Sequence, residues 1–470
     1  MSAKARKFDL TQGPIFSGLI RLSLPIMATS LMQTAHNLIN MLWLSRLGED
    51  YVAAAGMASQ FIWLSMAFTM MCRIGSEIGV SQNMGRGEPE TAKKYAQNGF
   101  MLALGLGVLY CAFAIIFRSR LISFFDLDNP RVVELAERYL LVIAFSVPFS
   151  LGHFVVTGVF SGFGNTKLPF YVNAGALALN IVLSPILIFG LNLGFIGAGI
   201  AMVTAQAFNL SLKIWALTKY KNRPFEKYKP FVKISKDKIL QILRWGIPVA
   251  GESFIFTFLF MIVSRVIAQF GSGAVAAHNV ALQIESLSFM VGGGFASALT
   301  AFVGQNYGAR KWGRLRSTTR TASIFMLGYG IFVTAFLALL ARPLVNIFLD
   351  EPYSIDIGVS YLRVIAFTQI LFCLESVAMG SFRGRGQTGK PAIASISANV
   401  FRVIIVHLLA STFFGIDLNL GLGVTGVWIG IAAAMTLRSV WVLTWHYFST
   451  RKQPRVDEVV LNTDKEVAKA

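Results

Sequence analysis

The chain has 470 residues, of which 55% are hydrophobic and 14% are charged, and it carries a formal net charge of +19. Its mean hydropathy is +0.61. A water-soluble protein of this length needs more charge on its surface, so the composition excludes an ordinary soluble enzyme or binding domain. The sequence instead predicts a protein that lies largely within a lipid bilayer.

Twelve apolar stretches follow one another along the chain, and each is long enough to cross a hydrocarbon core of ~30 Å as a helix. The short segments of alternating polarity that form membrane β-barrels do not occur. We therefore predict an all-α integral membrane protein with twelve transmembrane helices. The predicted spans are 15–46, 51–80, 93–118, 133–158, 169–190, 195–217, 240–270, 275–305, 318–341, 355–381, 391–415 and 423–448.

A polar break at residues 218–239 divides the spans into two halves of six. An even number of spans in each half gives both halves the same orientation, so the repeat is parallel, with its axis along the membrane normal. We predict two pseudo-symmetric six-helix bundles. The predicted regions are a tail at 1–14, an N-lobe at 15–217, a basic linker at 218–239, a C-lobe at 240–448 and a tail at 449–470.

The two halves share one sequence plan at an offset of 223 positions. In both copies a glycine-containing turn follows the second span, where the backbone can reverse tightly. Duplicated membrane bundles are typical of transporters, which handle their substrate between the repeats. The repeated positions are Pro25, Gly48, Gln60, Gln82, Asn83 and Gly85, which return as Pro248, Gly271, Gln283, Gln305, Asn306 and Gly308.

Positive charge is concentrated on one side of the predicted membrane. Loops and tails on the side of the N-terminus carry 25 of the 42 Lys and Arg, whereas the opposite loops carry only Arg120, Arg131 and Arg342. This asymmetry predicts that both termini and the linker are cytoplasmic. The linker then faces anionic membrane lipid, and we expect no nucleic-acid partner. The polar, basic N-terminal tail predicts no cleavable signal peptide.

The sequence contains no motif of an enzyme or a metal site. HExxH, GxSxG and clustered metal ligands are absent, and the glycine-rich turns at 162–164 and 384–386 lack the strand and the GK[ST] ending of a phosphate loop. Cys72, Cys111 and Cys373 lie in apolar stretches without CxxC spacing, which is typical of packing residues. We expect neither catalysis nor a bound metal or cofactor.

Three groups of segments carry a family resemblance that extends over about 15–448. They are 246–252 with 284–290 and 303–308, then 37–48, and finally the paired turns 162–167 and 384–389. These segments resemble the multidrug and toxic compound extrusion (MATE) transporters. The resemblance implies a V-shaped pair of lobes that exports organic, cationic or amphiphilic small molecules by alternating access, in exchange for H⁺ or Na⁺. It also implies a multi-pass protein of the cell inner membrane that functions as a monomer.

Three positions depart from the pattern of that family. Asn40 stands where many members have an aspartate in the first helix, and Ser184 replaces the acid that often follows Asn180. Gln387 replaces an aspartate in the C-lobe turn. An amide cannot release a proton, so the familiar N-lobe proton relay cannot run through Asn40 or Ser184. Their oxygens can still coordinate Na⁺ or bind a substrate, so we predict that Asn40, Asn180 and Ser184 line the transport cavity.

Two carboxylates in the C-lobe are the leading candidates for cation coupling. An ionisable side chain at mid-bilayer costs at least about 2.5–3.5 kcal/mol, so each one needs a reason to be there. The resemblance places Glu252 and Glu285 in the C-lobe cavity. We predict Glu252 as the residue that binds H⁺ or Na⁺, and Glu285 as its partner or as the substrate counter-ion. The alternative is that both only hydrogen-bond neighbouring helices or pair with Arg265.

Other charged residues within spans have weaker assignments. Arg73 and Glu77 are four residues apart in the second span and can pair, which favours a structural or gating role. Glu77 is also a third candidate for cation coupling, in place of the missing aspartates.

Glu375 in the tenth span has Arg402 as a candidate partner, and the sequence does not decide how Arg363 and Arg438 are paired. His278 in the eighth span is a group that can titrate near neutral pH. We include Glu375, His278 and Gln283 among the predicted cavity-lining residues.

The alternative function is a flippase or exporter of a lipid-linked sugar or another amphiphile. A cavity that binds pyrophosphate must be cationic, so that function predicts that several arginines converge on one site. The candidates are Arg73, Arg265, Arg363 and Arg402.

Overall fold

The computed structural model describes residues 9–125, 129–221, 223–410 and 422–451, with the side chains of residues 37 and 38 excepted. Residues 1–8 and 452–470, which make up most of the predicted tails, and the end of the eleventh predicted span lie outside the described residues. Within these ranges the chain forms sixteen α-helices and no strand.

Nine helices begin before the linker, and seven begin within it or after it. The first nine are α1 Ile15–Ser45, α2 Glu49–Leu64, α3 Met66–Arg86, α4 Pro89–Ile116, α5 Arg118–Ser123, α6 Pro130–Ile143, α7 Ser146–Phe163, α8 Lys167–Pro185 and α9 Gly194–Lys219. The others are α10 Lys236–Ala268, α11 Ser272–Gly308, α12 Trp312–Asn346, α13 Pro352–Ala366, α14 Gln369–Gly384, α15 Gly389–Ala410 and α16 Gly423–Arg451.

The number of spans agrees with the sequence. The described residues contain eleven helices, or helix pairs, that are long and apolar enough to cross a membrane. They contain twelve when α13 and α14, which meet at a bend of 52°, count as one broken span. The predicted all-α membrane fold is confirmed. Helices such as α12 begin outside their predicted spans because a helix can continue beyond the hydrocarbon layer, whereas hydropathy marks only the part inside it.

The chain divides into two compact units. The first consists mainly of Arg21–Ala250, and the second of Gly13–Ile20 together with the described residues from Gly251 onward. The first part of α10, up to Ala250, therefore belongs to the first unit, and the remainder belongs to the second. Each unit has its own buried apolar core, with Phe100 and Phe160 in the first and Tyr361 and Trp428 in the second.

Within each unit, a pair of glycines lets two helices approach closely. A Cβ at Gly158 of α7 would lie 2.9 Å from the backbone oxygen of Arg73, and one at Gly162 would lie 2.8 Å from that of Glu77. In the second unit, a Cβ at Gly380 of α14 would lie 2.6 Å from the backbone oxygen of Ala296 in α11, and one at Gly384 would lie 2.7 Å from that of Thr300. Small residues four apart are the usual means of close helix packing in membranes. The duplication therefore extends to backbone contacts.

The turn after the second span has the same geometry in both copies, although one copy lacks the expected glycine. Gly87 adopts φ 79° and Arg310, 223 positions later, adopts φ 56°. Gly85 and Gly308, which the sequence highlights, instead lie in the last turn of α3 and α11. A left-handed conformation costs a residue with a Cβ roughly 1–2 kcal/mol. The second copy keeps this turn in spite of that cost.

Candidate functional site: a polar cavity in the second unit

A cavity of about 220 Å³ lies inside the second unit. Its walls are mostly aromatic and aliphatic, and they include Phe256, Phe260, Phe289 and Phe372. Several polar groups point into this apolar surface, which is the usual composition of a ligand site. The polar lining residues are His278, Glu285, Tyr361, Asn399, Arg402 and Arg438.

Glu285 of α11 is the acidic group of the cavity and is 1% exposed. Tyr361 Oη donates a hydrogen bond of 2.6 Å to its Oε2, and Gln369 Nε2 donates one of 3.2 Å to its Oε1. Ser288 Oγ donates to Gln369 Oε1 at 2.7 Å, which fixes the orientation of that amide. Since a carboxylate has about four acceptor positions, Glu285 can still accept from a ligand.

Glu375 of α14 and Arg438 of α16 form an ion pair beside the cavity. Arg438 Nε lies 2.9 Å from Glu375 Oε1, and Ser439 Oγ donates a hydrogen bond of 2.7 Å to Glu375 Oε2. Glu375 is 3% exposed, and only Arg438 of this pair lines the cavity. The candidate pairing of Glu375 with Arg402 is therefore wrong, because Arg438 occupies that position.

Arg402 of α15 lines the same cavity and is 7% exposed. Its guanidinium carbon lies 5.1 Å from the centre of the Phe256 ring. Within the described parts of the chain, its Nε and Nη2 have no hydrogen-bond partner. This guanidinium is thus held by an aromatic contact, while two of its donor atoms are unsatisfied.

His278 lies in an aromatic environment on the cavity wall. Its ring stacks on Trp428 with centroids 5.1 Å apart, and it meets Tyr361 edge-on at 5.3 Å. Neither ring nitrogen has a hydrogen-bond partner among the residues that the structure describes. His278 was predicted to line a cavity, and it does line this one.

Two other predicted residues of the second half are not part of this cavity. Glu252 is half-buried on α10 and Gln283 is exposed on α11, and neither lines the cavity. The carboxylate of Glu252 forms no hydrogen bond or ion pair with the described residues. The sequence grouped Glu252 with Glu285, but the structure places only Glu285 in the cavity.

The predicted residues of the first half belong to the first unit. Asn40 Nδ2 lies 2.8 Å from His36 Nε2 on α1. Asn180 and Ser184 are both buried on α8, and Asn180 Nδ2 and Ser184 Oγ have no hydrogen-bond partner in the described ranges. Arg73 and Glu77 lie on α3, with Glu77 buried.

The first unit also contains a polar cluster that the sequence analysis missed. Lys213 of α9 is fully buried, and its Nζ lies 2.8 Å from Asn173 Oδ1, 2.9 Å from Thr157 Oγ1 and 3.3 Å from His153 Nδ1. Asn209 Nδ2 donates to the same Asn173 oxygen at 3.0 Å. All these partners are neutral side chains. Lys213 lies inside the predicted span 195–217, close to its end, and a lysine at that depth among polar residues of the neighbouring spans was a usable signal.

The turn that carries Gln387 is linked to the last helix. Ser449 Oγ donates to Gln387 Oε1 at 3.2 Å, and Arg385 Nη1 donates to Ser449 Oγ at the same distance. Burial lowers the pKa of Arg385 to about 10. Gln387 therefore has a structural contact, apart from the cavity.

Comparison with known proteins gives consistent results across the chain. The model of the MatE family matches residues 25–186 and again residues 248–408. A probable multidrug resistance protein NorM of Thermotoga maritima is 27% identical over 90% of this chain and 90% of its own length. Another, from Agrobacterium fabrum, is 26% identical over 90% of this chain and 92% of its own. A solved structure of an outward-facing multidrug resistance MATE family transporter shares the fold with a TM-score of 0.85 at 23% identity, covering 94% of this chain and 98% of that one.

Proposed function

Because the chain belongs to the MatE family, we propose that it is a secondary multidrug efflux transporter that exports organic small molecules in exchange for a cation. The names of the curated relatives support this function. The multi-pass membrane fold agrees with it. The two halves, 15–217 and 240–448, act as lobes that alternate access to the substrate.

The coupling site that we propose is Glu285. It is the carboxylate of the cavity, and it has acceptor positions left after its bonds to Tyr361 and Gln369. A cation bound there competes with a positively charged substrate, so loading of the cation favours substrate release. Glu252, the residue first predicted for this role, remains the second candidate, although it lies outside the cavity lining.

We propose H⁺ rather than Na⁺ as the coupling ion. A metal ion needs several oxygen ligands at once. The groups that meet the Glu285 oxygens, Tyr361 Oη and Gln369 Nε2, are oriented as donors. No group of three His, Cys, Asp or Glu residues is placed to hold a metal in the described part of the chain. A proton needs only the carboxylate itself.

The charge asymmetry supports an orientation with both termini in the cytoplasm and the basic linker at the lipid surface. We propose in addition that the protein works as a monomer in the cell inner membrane.

The flippase alternative receives less support. It predicts that several of four candidate arginines converge, and of these four only Arg402 lines the cavity. Arg265 and Arg363 are exposed, and Arg73 belongs to the first unit.

The test is transport into proteoliposomes under separately imposed proton and sodium gradients. We expect proton-driven transport of an organic cation that Glu285→Gln abolishes and that the exposed-acid control Asp356→Asn leaves intact. Sodium-driven transport without a response to the proton gradient would overturn the ion assignment. If Glu252→Gln abolishes coupling and Glu285→Gln does not, the residue assignment is wrong.

A further inference from the structure

The cavity contains one buried cation whose charge is not matched. Arg402 has two donor atoms, Nε and Nη2, without a partner among the described residues. These two nitrogens lie on the same edge of the guanidinium, and together they form the fork that binds a carboxylate through two parallel hydrogen bonds. A buried charged donor without an acceptor is unfavourable, so an acceptor from outside the chain would satisfy it.

The neighbouring acids are already engaged. Glu375, the acid that the sequence offered to Arg402, pairs with Arg438 at 2.9 Å. Glu285 accepts from Tyr361 and Gln369. The cavity therefore presents an open guanidinium edge together with a carboxylate that is hydrogen-bonded but not ion-paired.

The opposite charges of Arg402 and Glu285 determine which kind of charged ligand the cavity favours. A simple anion would be attracted by Arg402 but repelled by Glu285, and a simple cation would meet the reverse situation. A molecule with both charges suits both groups. The aromatic walls, with Phe256 beneath Arg402 and His278 stacked on Trp428, suit a flat ring.

We propose that this cavity binds zwitterionic aromatic molecules, with the carboxylate on Arg402 and the cationic group on Glu285. This inference rests on the proposed function, since the cationic group of the ligand takes the position assigned there to the coupling proton. The volume of about 220 Å³ is below the ~300–1,000 Å³ of sites for drug-sized ligands. The cavity therefore holds roughly one ring and its two charged groups.

The experiment compares zwitterions with their amides, which keep the ring and the positive charge but lack the carboxylate. Phenylalanine and 4-(aminomethyl)benzoate carry their two charges close together and far apart, respectively. Binding of both, and of phenylalaninamide and 4-(aminomethyl)benzamide, is measured by titration calorimetry on the purified full-length protein without any ion gradient. We expect at least one zwitterion to bind about tenfold more tightly than its amide, as for a hydrogen bond between charged groups.

Variants assign that difference to Arg402. Arg402→Gln should remove the tenfold advantage while leaving the affinity for the amide unchanged, and Arg402→Lys should keep part of it. The control Arg363→Gln, which removes an exposed arginine from α13, should behave as wild type. Thermal unfolding of each variant establishes that it is folded. If Arg402→Gln does not fold, Arg402→Lys takes its place in the test.

Three results would overturn the inference: no zwitterion binds better than its amide, the advantage survives in Arg402→Gln, or inorganic phosphate displaces the zwitterion at equal concentration. These results are separable from failure of the proposed function. Proton-driven export that depends on Glu285, without zwitterion binding, rejects only this inference. Zwitterion binding that depends on Arg402, without proton-driven export, rejects only the proposed coupling.

Discussion

Tyr361 Oη donates a hydrogen bond of 2.6 Å to Glu285 Oε2, and these residues are 76 positions apart in the chain. Tyr361 lies on α13, the first segment of the span that bends by 52°, and Glu285 lies on α11. The two residues that donate to this carboxylate lie on opposite sides of the bend, since Tyr361 belongs to α13 and Gln369 is the first residue of α14. Any change in the bend changes the contacts of Glu285.

Tyr361→Phe should destabilise the second unit by about 1–3 kcal/mol, because it leaves a buried carboxylate oxygen without its donor. Equilibrium unfolding in detergent measures this change, and proteoliposome transport should fall with it. Tyr353→Phe is the matched control, since Tyr353 is 57% exposed. Equal stability of both variants would show that the Tyr361 hydroxyl contributes nothing.

Glu375→Gln should reduce stability by about 3–5 kcal/mol, because it removes the charge that compensates the largely buried Arg438. The comparison is Arg342→Gln, which breaks an exposed pair with Asp356 at 2.9 Å. Exposed pairs contribute about 0–1 kcal/mol. Unfolding curves for the two variants should therefore differ clearly, and a similar small loss in both would contradict the buried ion pair.

Gly380→Ala should destabilise the packing of α14 on α11 by about 1–3 kcal/mol, since the added methyl would lie 2.6 Å from the Ala296 backbone oxygen. Gly293→Ala on α11 meets no atom within 4 Å and should be neutral or slightly stabilising through helix propensity. Thermal unfolding of the two variants checks the opposite signs. A stable Gly380→Ala protein would mean that the helices move apart at little cost.

Asn173→Leu should destabilise the first unit more than Lys213→Met does. The first change leaves the buried Lys213 amino group without one acceptor, whereas the second removes that group and leaves Asn173 bonded to Asn209. Removing one partner of a buried polar group costs more than removing the group itself. The free energies of unfolding give the order directly, and the reverse order would show that Lys213 is a net source of stability.

The sequence predicted most of the fold because long apolar stretches and a fixed repeat offset report directly on bilayer crossing and duplication. It also singled out Glu285 and His278, which line the cavity, since buried ionisable groups are rare in membranes. It could not predict that Arg438 rather than Arg402 pairs with Glu375. Residues 375 and 438 are far apart in the chain, and helix rotation, which decides such pairing, leaves no mark in hydropathy.

The first-unit cluster around Lys213 was missed for a related reason. Its members are two polar residues of α7, one of α8 and two of α9, each surrounded by apolar neighbours in its own helix. Only the packing of the three helices brings them together. The two ends of α10 show the same limit, because the hydropathy of Lys236–Ala268 does not indicate that it divides between units after Ala250.

The glycine pairs of α7 and α14 explain how two copies of one bundle can come to carry different chemistry. Gly162 meets the backbone oxygen of Glu77, and Gly384 meets that of Thr300, its counterpart 223 positions later. Because these contacts are made to main-chain atoms, the identity of the opposing side chain is not constrained by them. A charged residue in one half and a hydroxyl in the other are equally compatible with the same helix docking. Duplication thus supplied a second scaffold whose side chains were free to change independently of the first.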